Sequence, residues 1–194
     1  MEMLHSILLP HKELVGKVCS IVTIAQFFSG AFLCRDIYKK KSTEGISALP
    51  FIGGVTIGVL MLKYAVFLQD ESVFVVNMAA VILNSLYLGF YFLYSKDNWE
   101  EVYKPTSYGL LLVAVCLGYA EMESPEVLEY RYGLLVTILM LLLMASPLKD
   151  LGEIISSKDA SAIPFPLTFM GSIVSLLWLL YGIILQNNFM VELV

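Results

Sequence analysis

Between Ser72 and Ser95 the chain runs for 24 residues without one charged side chain. A helix of roughly 20 apolar residues spans the hydrocarbon of a bilayer, and five further runs resemble this one. The first lies within Leu14–Tyr38, uncharged from Val18 to Cys34. The second runs from Ser47 to Gln69 and is interrupted by Lys63. The others are Pro105–Ala120, Tyr132–Leu148 and a sixth from Ala160 to Gln186. Apolarity all round each run favours helices over the strands of a barrel, which would alternate. Only 15% of residues are charged, against roughly 25% in soluble domains, and the mean hydropathy is +0.79. Polar groups cannot cover that much apolar surface, so lipid must. The sequence predicts an all-α membrane protein.

Composition also removes several function classes. A net charge of −5 argues against nucleic acid, which needs a basic stripe. No zinc-protease, nucleophile-elbow or phosphate-loop motif occurs, so no enzymatic activity, catalytic residue, metal or cofactor is expected. His5 and His11 lie on the N-terminal tail and read as exposed decoration. Cys19, Cys34 and Cys116 are odd in number and sit within apolar runs, where they read as small buried hydrophobes. Met1–His11 lacks the pattern of a cleaved signal, and the first span is expected to act as an uncleaved anchor.

Charge in the loops sets an orientation. Arg35, Lys39, Lys40, Lys41, Lys96, Lys104, Lys149 and Lys158 fall on one side. Lys12, Lys17 and Arg131 fall on the other. The positive-inside rule puts the first group in the cytosol and the N-terminus outside, extracellular or lumenal. Lys63 remains within a span, where its long stem can reach toward the Asp70-Glu71 loop or serve a gate.

A duplication runs through this pattern. Ser47-Ala48-Leu49-Pro50-Phe51 returns as Ser161-Ala162-Ile163-Pro164-Phe165, and the same offset of 114 residues aligns Asp36 with Asp150. Spans five and six therefore repeat spans one and two in the same orientation. Span four becomes the linker that inverts the chain between two parallel repeats. The expected division is residues 1–95 for a first three-helix repeat, 96–129 for the linker, and 130–194 for a second repeat. That second repeat is incomplete, because no seventh apolar run follows Gln186.

Several side chains could act within such a bundle. Asn77 sits one turn into the third span with Asn84 two turns further on; its amide suits sugar hydroxyls or a neighbouring helix equally. Trp178 and Tyr181 share a face of the sixth span. A tryptophan face stacks on the C–H face of a pyranose, while an interfacial aromatic belt fits Tyr181 better. Pro50, Pro147 and Pro164 stand at cytosolic ends of spans, where proline starts or hinges a helix. Gly54-Val55-Thr56-Ile57-Gly58 lets a neighbouring helix approach closely. No Asp or Glu lies inside a span core, which favours passive over ion-coupled transport.

Lys-Ser-Thr-Glu at 41–44, Leu-Pro-Phe at 49–51, Val-Val-Asn at 75–77, Ala-Ser-Pro-Leu at 145–148, Ile-Pro-Phe at 163–165 and Trp178-Leu-Leu-Tyr181-Gly182 together resemble the SWEET (MtN3/saliva) sugar transporters, animal members in particular. The resemblance covers nearly the whole chain. It implies a 3+1+3 helical fold and a facilitative, bidirectional uniporter moving mono- or disaccharides by alternating access. It places substrate contacts at Asn77 and Trp178 and hinges at Pro50, Pro147 and Pro164. Gly30 stands at the fourth hinge position, where the family has proline. Tyr64 matches the outer-gate tyrosine, and Asn187 falls where its partner would lie. The family also implies a homo-oligomer in the plasma membrane or Golgi, with sugar and lipid as its partners.

Counting on from Trp178, the position of a second pocket asparagine is Val194. A competing expectation is therefore a non-transporting, truncated or regulatory isoform that pairs with a full-length transporter. A PQ-loop protein is a third reading, weakened because Phe, not Gln, follows Pro50 and Pro164.

Overall fold

The computed structural model describes residues 8–145 and 165–186, and among them the structure is helical throughout, with no strand. A 3-10 turn at Leu9–His11 leads into α1 (Lys12–Phe27), followed by α2 (Gly30–Lys40), α3 (Leu49–Leu68) and α4 (Glu71–Tyr94). A π-helical turn at Trp99–Tyr103 opens α5 (Lys104–Met122). Then come α6 (Pro125–Ala145) and α7 (Phe165–Leu185). Each of the six apolar runs is thus helical over its described residues, and the first is split in two. Four helical stretches among the described residues are long and apolar enough to cross a membrane: Leu9–Lys40, Leu49–Leu68, Glu71–Tyr94 and Trp99–Met122. The fifth run begins earlier than its apolarity suggests, because Pro125 supplies a first-turn residue whose missing N–H no helix would use.

Local chemistry explains the boundaries. Ser29-Gly30 is the kind of pair at which helices kink; there the α1–α2 path switches to short bonds, Ala31 N–H to Phe28 O and Phe32 N–H to Ser29 O, both 3.0 Å. The α2 helix ends at Lys41 in the left-handed region (φ 52°). In the loop that follows, Ile46 N–H reaches Thr43 O at 2.9 Å and Gly45 takes φ +79°. Pro50 lies in the first turn of α3, where its fixed φ suits helix entry. At the far end Gln69 adopts φ 51°. Asp70 then caps α4, its Oδ1 accepting Val73 N–H at 3.0 Å. With only Gln69 and Asp70 between them, α3 and α4 form an antiparallel hairpin.

The chain divides into two compact units. One comprises Phe27–Tyr132, the other the described parts of Met1–Gln26 and Gly133–Val194. In the first unit α3 packs on α4 along most of its length and on α5 beside it, while α2 lies on α4. Its core gathers Ile37, Phe51, Ile52, Tyr87, Tyr91 and Val102. The α3–α4 contact is close because two glycines form it. A Cβ on Gly54 would lie 2.5 Å from Asn84 Cγ, and one on Gly58 would lie 2.8 Å from Val81 Cγ2. The packing reading of that glycine pair is therefore correct. Val75, Met78, Ile82, Leu86 and Leu93 are exposed and fall on one stripe of α4 at helical spacing, the face that hydrocarbon covers.

In the second unit α1 packs on α7. Cys19 Sγ donates to Leu177 O at 3.3 Å, and Gln26 Nε2 lies 3.6 Å from where a Gly171 Cβ would be. Rising numbers along α1 meet falling numbers along α7, so the two run antiparallel. Cys19 is fully buried and Cys116 nearly so, as their place in apolar runs predicts.

The glycine contact gives a first test. Gly54→Ala should lower the thermal stability of the detergent-purified protein by about 1–3 kcal/mol, the usual range for overpacking. Gly118, with nothing within 4 Å of its would-be Cβ, should tolerate alanine with a gain of up to about 1 kcal/mol. Equal losses at the two sites would show that the α3–α4 contact is not what Gly54 serves.

Candidate functional site

Asn77 occupies the second turn of α4. Its Nδ2 donates to Val73 O at 2.8 Å, back along its own helix. An amide carries two N–H groups and a carbonyl oxygen; the intrahelical bond occupies one donor and orients the rest. A hydroxyl-rich ligand needs such a paired donor and acceptor. Asn84 makes the same bond to Ala80 O at 2.8 Å, but its amide is seated against Gly54. Asn84 thus also has a packing duty at the α3–α4 contact.

Trp178 on α7 donates its indole N–H to Thr23 Oγ1 at 2.9 Å. Thr23 in turn donates to Cys19 O at 2.7 Å, so its one hydroxyl proton is committed and its lone pair faces the indole. Tyr181 stands edge-on to Trp178, with ring centroids 5.8 Å apart. Tyr181 is only 2% exposed, so it belongs to the packing of α7 and not to an interfacial belt. The reason is the edge-to-face contact, which holds both rings together. Sequence reading missed Thr23. The signal was there: a tryptophan N–H within hydrocarbon requires an acceptor, and Thr23 is one of few hydroxyls in the first span.

Gly30 starts α2 immediately after the break in the first run. The Tyr87 ring packs on it so closely that any Cβ would collide. The Tyr87 hydroxyl donates to Phe27 O at 3.2 Å, a carbonyl at the α1 terminus. Glycine rather than proline stands here because the tyrosine ring occupies the space a side chain would need. Pro50 sits within the first turn of α3, initiating that helix. Tyr64, further along α3, is 3% exposed. Pro147, Pro164 and Asn187 lie outside the described residues.

Lys63 has a partner. Its Nζ lies 2.6 Å from Glu121 Oε1 and 5.3 Å from the Phe67 ring centroid, joining α3 to the end of α5. The stem reaches along the helix toward the Asp70 end, as snorkelling requires, and meets a carboxylate there. Just beyond α5, Glu123 Oε2 accepts from Tyr119 OH at 2.7 Å and from Arg131 Nη1 at 2.7 Å. The tyrosine hydroxyl, and then the guanidinium, hold its carboxyl below the usual value of 4.5. No group of three or more potential metal ligands occurs among the described residues.

A family model described as "Sugar efflux transporter for intercellular exchange" matches residues 13–98 and 131–193. The protein named Sugar transporter SWEET1 of Drosophila pseudoobscura pseudoobscura is 31% identical over 180 residues, covering 91% of this chain and 79% of its own. Its namesake in Xenopus tropicalis is 31% identical over 172 residues, covering 87% and 79%. A solved eukaryotic SWEET transporter superimposes with a TM-score of 0.76 at 22% identity, over 95% of this chain and 88% of that one. The fold is shared with that structure.

Two outcomes follow from the geometry around Gly30 and Glu123. Gly30→Ala should cost about 1–3 kcal/mol of stability, and less when Tyr87→Ala removes the ring. Additive losses in that double-mutant cycle would deny the contact. For Glu123, a depressed carboxyl stabilises the fold above its unfolded value, and the effect is lost as pH falls through the folded one. The stability gap between wild type and Glu123→Gln should therefore be full well above 4.5 and close below it. A gap independent of pH would assign Glu123 a role without charge.

Proposed function

Because the chain belongs to the MtN3/SWEET family of transporters, we propose that it is a facilitative, bidirectional sugar uniporter working by alternating access. The observation that carries this reading is the match of one sugar-transporter family model to two separate stretches, 13–98 and 131–193. It supports a first repeat over 1–95, a linker over 96–129 and a second repeat over 130–194.

Asn77 and Trp178 are the substrate contacts in this reading, one from each repeat. The spare N–H and carbonyl of Asn77 exchange hydrogen bonds with sugar hydroxyls. Trp178, its N–H held by Thr23, offers its ring face to the apolar side of a pyranose. Gly30, Pro50, Pro147 and Pro164 are the hinges, and Tyr64 with Asn187 the outer gate. Lys63 is the only charged side chain within the span cores of the described residues, and it is paired with Glu121. This supports transport down a gradient without ion coupling. The Lys39–Lys41 end faces the cytosol and the N-terminus faces outside, in the plasma membrane or Golgi, with the protein as a homo-oligomer.

Radiolabelled glucose uptake in cells lacking hexose carriers tests the reading. Wild type should equilibrate the sugar in both directions, unaffected by a protonophore. Asn77→Ala should reduce uptake about tenfold, the effect of roughly 1.4 kcal/mol in lost hydrogen bonding, at unchanged surface level. Accumulation against the gradient would sink the uniporter mechanism. No uptake of any mono- or disaccharide at normal surface expression would sink sugar transport itself.

A further inference from the structure

Glu101 lies in the π-helical turn Trp99–Tyr103 that opens the linker helix α5. A single oxygen of its carboxylate, Oε2, accepts from three hydroxyls. Thr43 Oγ1 donates at 2.9 Å, Tyr91 OH at 3.0 Å and Ser95 Oγ at 2.9 Å. These hydroxyls come from the loop before α3, the last turn of α4 and the residue that ends it. Thr43 is 4% exposed and Tyr91 2%, so this is not chance contact at a surface. Tyr91 OH also stands 2.9 Å from Ile46 O, and its one proton is shared between carbonyl and carboxylate. The Tyr91 ring meets Phe51 in the first turn of α3, with centroids 6.4 Å apart.

An anionic oxygen suits this convergence best. An ionised carboxylate is acceptor-only, so three donors can point at it without conflict. A glutamine oxygen, being uncharged, would accept the same three bonds more weakly, and an aspartate falls one methylene short. Beside the cluster is an open cavity of about 420 Å³, lined by loop residues Thr43–Leu49 with Tyr91 and Pro105. The loop has room to swing into it if released.

We propose that Glu101 is a positioning residue that latches the Lys41–Leu49 loop, and with it the root of α3, to the end of α4 and the start of the linker helix. Pro50 stands at that root, so the latch supplies the fixed point against which α3 turns. This part of the inference rests on the transport reading. Loss of the latch should slow the conformational step and leave sugar affinity alone, because Glu101 touches none of the candidate substrate contacts.

The test uses the full chain and two independent readouts. In limited trypsin digestion of the detergent-purified protein, Glu101→Ala should speed cleavage at Lys39–Lys41 about fivefold or more, local opening being what the protease samples. Glu44→Ala, a change to an exposed loop carboxylate, should not. Thr43→Val and Tyr91→Phe each remove one donor and should show part of the effect even if Glu101→Ala folds poorly; combined with Glu101→Ala they should add nothing. In uptake assays normalised to surface protein, Glu101→Ala should lower Vmax about threefold or more with KM unchanged. Cleavage at the wild-type rate in all three variants overturns the latch, and a raised KM at constant Vmax overturns its role in the conformational step. If wild type carries no sugar but cleavage still accelerates, the latch stands and the transport reading falls.

Discussion

A backbone carbonyl in hydrocarbon has no water to turn to, and the rest of this structure depends on how that demand is met. Helices satisfy it internally everywhere except at breaks and ends. At the break in the first run, the Tyr87 hydroxyl donates to Phe27 O. Tyr91 reaches Ile46 O in the loop before α3, while the fully buried Tyr132, whose hydroxyl itself needs an acceptor, donates to Leu60 O at 3.2 Å within α3. Three tyrosines thus carry polar tips on apolar rings to carbonyls at least 45 residues away in the chain. Each bond fixes a long-range neighbour as well as a polar group, which is why the unit Phe27–Tyr132 packs as one body.

Glycine provides the complementary device. Where α3 meets α4, missing side chains at Gly54 and Gly58 let two helices approach without a driving force from water, since lipid is as apolar as the helix surface. Gly30 does something different. Its bare surface seats a ring whose hydroxyl then serves the neighbouring carbonyl, so a single tyrosine both fills the space and repairs the break. A proline at that position would break the helix by itself, whereas here Gly30 and Tyr87 share the task across two helices.

Among the described residues most charge lies near helix ends, and there it is used for fastening. Lys63 and Glu121 tie α3 to α5 at the Asp70 end. Glu123 gathers Tyr119 and Arg131 nearby, and Glu101 gathers three hydroxyls at the opposite end of α5. Helix α5 is held to its neighbours at both ends, and Lys63, the one charge within a described span core, is paired.

The sequence by itself determined the class and the helices, because apolar runs and capping residues act locally: Asp70 caps α4 whatever α4 packs against, and Pro50 starts α3. It also exposed the duplication through Ser-Ala-Leu-Pro-Phe and its echo, and through that the family. It marked Asn77 and Trp178, since a polar group in hydrocarbon stands out in any register. Tertiary structure alone decided the partners. That Thr23 holds Trp178, that Tyr87 occupies the place of a Gly30 side chain, and that Glu101 collects Thr43, Tyr91 and Ser95 all depend on residues brought together from distant positions. Hydrogen bonds and ring contacts act over a few ångströms of space, and no spacing along the chain encodes which distant side chain arrives there.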